Sequence, residues 1–246
     1  MDNKKSRGRA RGIIIVILLV IMAVSGAMSI RGWLEDRRTQ EQYESLAESV
    51  QETETEPEIT EAETETEPEE EVYQSPIDFE SLKQENPDTV GWIRIEDTNI
   101  DYPIVQCEDN DFKGRNHILY GHNMKNGSMF KDVNRYKNEA YFKEHQYFSI
   151  YTPEREIRLK AVAAYYGEAK PIVRMTKFKS QETFDAFVSE MIKPCRYGEE
   201  VSYPVKSLYT LVTCSYEIND ARTFLFAVEV DEEGNEIPPE TEAKAE

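Results

Sequence analysis

A long apolar run near the start of the chain predicts a membrane-spanning helix. Residues 13–30 carry no charge, and 18 residues at the helical rise extend about 27 Å, close to the thickness of a bilayer's hydrocarbon core. Residues 1–12 contain five Lys and Arg side chains, so the positive-inside rule places this basic segment in the cytoplasm. A cleaved signal peptide is the alternative, since the small residues at 25–27 resemble a cleavage region, but the run is long for one. We therefore expect a single-pass anchor at residues 13–30, with the rest of the chain outside.

Two acidic stretches lack the apolar positions that a folded core needs. Residues 51–71 consist mainly of Glu, Thr and Pro, without Lys or Arg, so like charges repel one another and little drives collapse. We expect residues 31–74 to form a disordered acidic stalk. The tail at residues 231–246 has a similar composition, and we expect it to be disordered as well.

Residues 75–230 have the alternation of a folded, strand-rich domain. Residues 75–88 predict a short amphipathic helix with Ser75 as its N-cap and Pro76 in its first turn. Ser180 is the expected N-cap of a second helix that ends at residue 192, and residues 130–146 predict two short helices. Strands are predicted at residues 89–95, 99–106, 116–120, 147–152, 157–166, 208–214 and 223–230. Many short strands with few helices indicate a mostly antiparallel barrel or sandwich.

Composition excludes several classes of function. The 246 residues include 29 Lys and Arg against 48 Asp and Glu, a formal net charge of −19, whereas nucleic-acid binding needs a basic face. Three Cys form neither a disulfide framework nor a four-Cys zinc site. The three His are too few for a histidine-rich metal site. We expect neither a metal nor a cofactor.

One cysteine, one histidine and one arginine form a candidate nucleophilic site. Cys214 ends an apolar strand, His122 follows a strand in Tyr-Gly-His-Asn, and Arg222 begins the next strand after Cys214. A thiolate is a nucleophile that nearby cations stabilise, a histidine is suited to protonate a leaving amine, and an arginine is suited to bind an oxyanion. Spacing alone also permits a buried structural thiol, a turn histidine and a surface cation.

The remaining Cys and His residues have ordinary interpretations. Cys107 and Cys195 are either paired or free, and two cysteines without a framework pattern favour free thiols. His117 is expected to fill a strand and His145 to lie on the surface at a helix end. Two polar residues after His122 are candidates for lining a substrate groove, Asn123 and Ser128.

The motifs around these residues resemble those of sortases, specifically class B. The segments are LYGHNMKNGSMF at residues 119–130, TLVTCSYE at 210–217 and NDARTFLFAV at 219–228. The opening VGWIRIEDTNIDYPIVQ, followed by Asp-Asn-Asp, is also similar, and the likeness runs from about residue 78 to 230 in the family's order. The resemblance implies an eight-stranded sortase barrel, with Cys214 as nucleophile, His122 as acid–base partner and Arg222 as stabiliser of the oxyanion and the substrate.

The resemblance also implies a reaction and its partners. Sortases cleave a C-terminal sorting signal of the Leu-Pro-x-Thr-Gly or Asn-Pro-x-Thr kind after Thr and hold the protein as a thioester. They then transfer it to an amine of a peptidoglycan precursor or a pilin. A membrane anchor and a stalk suit this reaction, because both the secreted substrate and the lipid-linked precursor lie at the external face of the cell membrane.

One departure from the family's pattern concerns the barrel wall. Class B sortases have a longer stretch between the Asp-Asn-Asp motif and the strand that leads to the histidine. Here residue 111 is followed almost directly by the strand at 116–120, which indicates that one strand and its loop are missing. A missing strand exposes backbone groups of its neighbours and removes packing.

That gap leaves two other functions open. The chain is alternatively a catalytically impaired surface protein that binds without reacting, or another cell-wall cysteine peptidase. An L,D-transpeptidase carries a Ser-His-Gly-Cys pattern, whereas Thr213 precedes Cys214. Papain-like peptidases place the histidine after the cysteine, whereas His122 comes well before Cys214.

Overall fold

The protein divides into two compact units, Met1–Leu46 and Ala47–Glu246, which we describe separately. The computed structural model describes residues 73–106, 112 and 114–239 of the second unit, together with residue 49. In the first unit it describes residues 18, 20–32, 34, 37, 38, 41, 42, 45 and 46.

The N-terminal residues that the structure describes are helical. Of the predicted anchor, residues 18 and 20–30 lie in a helix, and residues 13–17 and 19 lie outside the described part. Within that part, no helix is long and apolar enough to cross a membrane. Described positions between 31 and 49 are also helical, where we expected the disordered stalk to begin. Leu, Ala, Glu, Gln and Arg dominate this segment and favour helix, unlike the Thr and Pro of residues 51–71, which lie outside the described part.

In the described part of the second unit, seven strands form a single, nearly closed sheet. The order across the sheet is β2-β1-β4-β5-β7-β6-β3, and every neighbouring pair is antiparallel except β3 and β6, which are parallel. The strands are β1 (Thr89–Arg94), β2 (Asp101–Val105), β3 (Asn116–Tyr120), β4 (Tyr147–Tyr151), β5 (Glu156–Glu168), β6 (Leu208–Cys214) and β7 (Ala221–Glu229).

Consecutive strands β2 and β3 occupy the two ends of the sheet order. Each has one hydrogen-bonded strand neighbour among the described residues. The family's eighth strand is expected between these two in the chain, where the sequence is short. The described residues thus contain seven strands, one fewer than the resemblance implies, and residues 107–111 and 113 of the short segment lie outside the described part.

The first helix begins later than the sequence predicted. Helix α1 (Phe79–Glu85) is capped by Asp78, whose carboxylate accepts from the backbone N–H of Ser81 at 3.0 Å. Ser75 instead accepts from the backbone N–H of Ile77 within the preceding turn. The acidic side chain at the helix start is the better cap, because it satisfies an unpaired N–H and complements the helix dipole.

The other predicted helices are present. A 3₁₀-helix (Phe130–Lys137) and α2 (Glu139–Glu144) fill residues 130–146, with Asn138 between them as the N-cap of α2. Between β5 and β6, a second 3₁₀-helix (Pro171–Arg174) precedes α3 (Gln181–Ile192). Ser180 and Thr183 form a capping box at the start of α3, which confirms the N-cap predicted for that helix.

Strand register separates the two faces of the sheet. On β6, Leu208 and Val212 share a face with their partners on β7, Val228 and Phe224, and this face packs against α3. Cys214 and Arg222 are direct partners in the same register, so they lie on that helix-covered face. The opposite face carries fully buried β6 and β7 residues and forms the barrel interior: Tyr209, Leu211, Leu225 and Ala227.

The first part of the predicted disordered tail is ordered. Gly234 adopts a positive φ of 84° in a tight turn, and the backbone N–H of Ile237 returns to the carbonyl of Glu229 at 3.0 Å. A β-bridge joins Val230 to Glu236. Residues 231–239 are thus held by backbone hydrogen bonds to the end of β7, which composition alone did not indicate. Residues 240–246 lie outside the described part.

Candidate active site

The candidate nucleophile and its arginine lie side by side on neighbouring strands. Cys214 ends β6 and pairs directly with Arg222 near the start of β7. Directly opposed residues of an antiparallel pair have Cβ atoms about 4.5–5.5 Å apart. Cys214 is partly exposed, so its thiol sits at the rim of the sheet and not in the core. The structure thus brings together these two members of the predicted trio.

His122 comes level with Cys214 on the other side of β6. In the parallel register Tyr120 pairs with Val212 as the last pair of these two strands, and His122 and Cys214 each lie two residues further along the chain. The backbone N–H of Gly121 donates to the carbonyl of Val212 at 3.0 Å, which continues the pairing beyond the end of β3. We call these three residues the row: Cys214 and Arg222 face each other on β6 and β7, and the exposed His122 lies in the turn that follows β3.

Gly121 is required by close packing immediately before His122. A Cβ at this position would lie 2.2 Å from Cγ of Phe130, inside the ring's contact distance. Phe130 is 5% exposed, and its backbone N–H donates to the carbonyl of His122 at 3.0 Å. The ring and the hydrogen bond together fix where the chain turns after β3, and hence the position of the His122 backbone.

The two predicted groove residues have structural contacts in the loop after His122. Asn123 pairs with Met129 in a β-bridge, and its side-chain amide donates to the backbone carbonyl of Cys214 at 2.9 Å. Ser128 is 6% exposed and donates to Asn126 at 2.8 Å. Contact of either residue with a substrate stays a prediction.

A second amide reaches the same carbonyl from the 3₁₀-helix at 130–137. Asn134 donates from Nδ2 to the carbonyl oxygen of Cys214 at 3.2 Å. Its Oδ1 accepts from the hydroxyl of Thr223 at 2.6 Å and from the ammonium of Lys137 at 3.1 Å. Sequence reasoning missed Asn134, Lys137 and Thr223, because no local pattern shows that this helix packs against the ends of β6 and β7.

Lys137 is the centre of a charged cluster beside Cys214. Its ammonium pairs with the carboxylate of Glu217 and lies 3.3 Å from the hydroxyl of Ser215, which also donates to Glu217. Burial raises the pKa of Glu217, but the Lys137 and Ser215 hydrogen bonds outweigh it and lower the pKa to about 2. The cluster fixes the chain just after the thiol at neutral pH.

The Arg222 side chain and the backbone N–H that follows Cys214 donate to the same carbonyl. The guanidinium donates from Nη1 to the carbonyls of Ala221, at 2.9 Å, and Asp220, at 3.3 Å. The backbone N–H of Ser215 also donates to the carbonyl of Ala221, at 2.9 Å. Ser215 has one backbone N–H, which the strand pairing engages, whereas a guanidinium carries five N–H donors.

The other histidines lie away from the row. His117 is buried on β3, stacked on Tyr209 with ring centroids 4.6 Å apart, and burial lowers its pKa to about 4. This confirms its interpretation as a strand-filling residue. His145, expected on the surface, is 9% exposed because it packs on Tyr141 at the end of α2, and its carbonyl accepts from Tyr136.

The remaining cysteines do not join the site. The sulfur of Cys195 accepts from the backbone N–H of Ala164 at 3.3 Å, and the thiol is free. Cys107 lies outside the described residues. Across the part of the chain that the structure describes, no group of three or more His, Cys, Asp or Glu residues is arranged to hold a metal ion.

Known proteins with similar sequences include sortases. No family model matches the chain. Sortase B of Listeria monocytogenes is 30% identical over 163 residues, which cover 55% of this chain and 66% of that protein. Sortase B of Staphylococcus aureus is 24% identical over 229 residues, 82% of this chain and 88% of that protein.

A solved structure shows the same fold. The crystal structure of Clostridium perfringens sortase B has a TM-score of 0.56 and 29% sequence identity, and the match covers 62% of this chain and 99% of that one. The motif order, the nearly closed barrel and these similarities lead to one conclusion. The chain belongs to the class B sortases.

Proposed function

We propose that this protein is an active sortase-type cysteine transpeptidase, with Cys214 as nucleophile, His122 as general acid and base, and Arg222 as oxyanion donor. The observation that carries the proposal is the row across β3, β6 and β7. Strand register pairs Cys214 with Arg222, and Asn123, the residue after His122, donates to the carbonyl of Cys214. Each has the chemistry that its place in a thiol acyl-transfer reaction requires.

The first half of the proposed reaction forms a thioester. The thiolate of Cys214 attacks the carbonyl carbon of Thr in a sorting signal of the Leu-Pro-x-Thr-Gly or Asn-Pro-x-Thr kind. Negative charge develops on the carbonyl oxygen, where Arg222 donates hydrogen bonds. The bond from Thr to the next residue then breaks, and protonated His122 gives its proton to the leaving amine.

The second half transfers the protein to an acceptor. An amine of a peptidoglycan precursor or a pilin attacks the thioester carbonyl, and neutral His122 takes the amine's proton. The sulfur leaves as thiolate, so the thiolate and the protonated imidazole are both regenerated and protons balance over the cycle. A new amide bond replaces the one that was cleaved.

The location follows from the sequence. Residues 13–30 are proposed to anchor the chain in the membrane, with residues 1–12 in the cytoplasm and the barrel outside. Fusing a reporter enzyme that works only outside the cytoplasm to the C-terminus tests this orientation. A signal that persists after residues 13–30 are deleted contradicts the anchor.

The nucleophile is tested with the full-length chain and a synthetic sorting peptide. Mass spectrometry is expected to show a thioester on Cys214 in the wild-type protein and none in Cys214→Ala. Cys195→Ala is the matched control, because it removes a thiol outside the row and is expected to react like the wild type. Thioester formation that survives Cys214→Ala refutes the assignment.

His122 and Arg222 are each tested with a further variant. His122→Ala and Arg222→Ala are each expected to lower kcat by about 100-fold or more, since each removes a group that acts on the reacting atoms. A cooperatively folded wild-type protein that forms no thioester with any sorting peptide favours the alternative, a surface protein that binds without reacting.

A further inference from the structure

The backbone carbonyl of Cys214 is held by two side-chain amides. Asn123 donates to it at 2.9 Å from the loop after β3, and Asn134 at 3.2 Å from the 3₁₀-helix at 130–137. A carbonyl oxygen has two lone pairs, so both are used. This carbonyl lies at the end of β6, where the strand ladder no longer restrains the chain on both sides. The two side-chain amides therefore restrain the chain at a point where the sheet itself does not.

The orientation of Asn134 follows from its neighbours. The ammonium of Lys137, 3.1 Å away, only donates, so the atom that faces it is the acceptor Oδ1. The hydroxyl of Thr223 donates to the same oxygen at 2.6 Å. The amide NH₂ must then face the carbonyl of Cys214, because the opposite orientation would set acceptor against acceptor and donor against donor.

These contacts connect all three members of the row. Asn123 is covalently next to His122, and Thr223 is next to Arg222 on β7. Asn134 joins the carbonyl of Cys214 to the hydroxyl of Thr223. A displacement of any one strand end would break a hydrogen bond in this clamp, which we define as Asn123, Asn134 and Thr223.

We propose that the clamp positions the thiol of Cys214 between His122 and Arg222, so that Asn134 and Thr223 are positioning residues that touch no reacting atom. The inference rests on the proposed function. Its consequence is kinetic, since misplacing a nucleophile by about 1 Å costs on the order of 100-fold in rate. Binding of the sorting peptide, which depends on the groove surface, is expected to change little.

Two substitutions at Thr223 distinguish positioning from packing. Thr223 is 0% exposed, so Thr223→Val keeps the shape but removes the donor, whereas Thr223→Ser keeps the donor and leaves a small void. Positioning predicts that Val lowers kcat by about tenfold, with KM within about twofold, while Ser stays near the wild type. A packing role predicts the reverse order, and that order overturns the proposal.

A matched pair of asparagines tests the amide itself. Asn134→Asp replaces the NH₂ that faces the Cys214 carbonyl with an acceptor, and it is expected to lower kcat by about tenfold or more. Asn138→Asp is the control, because Asn138 caps α2 by accepting from the backbone N–H groups of Ala140 and Tyr141 and uses no donor there. Equal kcat in the two variants overturns the proposal.

A further measurement does not depend on sortase activity. Hydrogen exchange of the backbone N–H of Ser215, which donates to Ala221, is expected to accelerate about tenfold in Thr223→Val and Asn134→Asp, with the exchange of β5 unchanged. Unchanged exchange at Ser215 overturns the clamp. Accelerated exchange in a chain whose wild type forms no thioester supports the clamp and refutes the proposed function, so the two failures are distinguishable.

Discussion

At the residue scale, two glycines beside the site occupy very different spaces. Gly121 lies against the ring of Phe130, where an added Cβ would come within 2.2 Å of Cγ. Gly167 lies on β5 and pairs with Arg222 of β7. A Cβ added to Gly167 would meet its nearest neighbour, a ring carbon of Tyr165, at 3.6 Å. The first contact is forbidden and the second is ordinary packing. The chain therefore requires a glycine before the histidine but only tolerates one opposite the arginine.

Gly121→Ala is expected to destabilise the fold and displace His122. Relief of the clash requires movement of Phe130 or of the turn, and overpacking of this kind costs about 1–3 kcal/mol. Urea unfolding measures the loss, and the rate of thioester formation is expected to fall with it. Gly167→Ala is the matched control and is expected to keep its free energy of unfolding within about 0.5 kcal/mol of the wild type. Equal losses in the two variants would contradict the steric argument.

At the element scale, β7 carries the arginine at its start and a buried carboxylate at its end. The Glu229 side chain is 3% exposed and pairs with Arg155, in the turn between β4 and β5. It also accepts from Lys206, just before β6, at 3.1 Å. Burial raises the pKa of Glu229, but the hydrogen bonds and charges of these two cations outweigh it and lower the pKa. One carboxylate thus ties together the segments on both sides of β7.

The lowered pKa of Glu229 sets the direction of its pH dependence. A carboxyl whose pKa is lower in the folded than in the unfolded state stabilises the fold above its ordinary value of 4.5, and that stabilisation is lost as pH falls through the folded value. Glu229→Gln is expected to cost about 1–3 kcal/mol at neutral pH and progressively less in acid. Chemical denaturation across this range measures the difference, with Glu232→Gln, an exposed neighbour, as control. A cost that does not change with pH would refute the argument.

At the scale of the whole domain, the barrel wall formed by the described strands is not fully closed and ends at two strands. Strands β2 and β3 each have one strand neighbour among the described residues, whereas β5 and β7 are paired on both sides. The largest strand interfaces, between β5 and β7 and between β6 and β7, directly support the row of candidate catalytic residues. Open ends at β2 and β3 are therefore expected to weaken the wall and the turn that carries His122 more than the β6–β7 pair that carries Cys214 and Arg222.

Hydrogen exchange on the full chain tests this distribution of stability. Amides of β2 and β3 are expected to exchange at least about tenfold faster than those of β5 and β7, because edge pairs open locally at lower free energy. The unfolding transition of the barrel is expected to remain single and cooperative. Equal protection of edge and central strands would show that another segment covers the open edges.

Local pattern was sufficient for most of the elements. Alternation located all seven strands to within a few residues, and Ser180 was recognised as the cap of α3 because capping involves only neighbours in the chain. The first helix was misjudged by three residues, since two polar residues competed for the cap and the acidic one prevailed. His145 was misplaced because its burial depends on Tyr141 and Tyr136, and the segment 231–239 because its turn is anchored on β7.

The order of the motifs, the chemical type of each side chain and the shortness of the segment between β2 and β3 were readable without coordinates, since each is a property of neighbours along the chain. The approach of His122 to Cys214 could not be read from the sequence. It depends on the parallel pairing of β3 with β6, which joins segments 92 positions apart (214 − 122 = 92). The clamp was also invisible: Asn134 is an ordinary residue in a short helix until packing places it against the ends of β6 and β7. Hydrogen bonds between distant segments arise from the folded geometry, and no pattern within one segment records them.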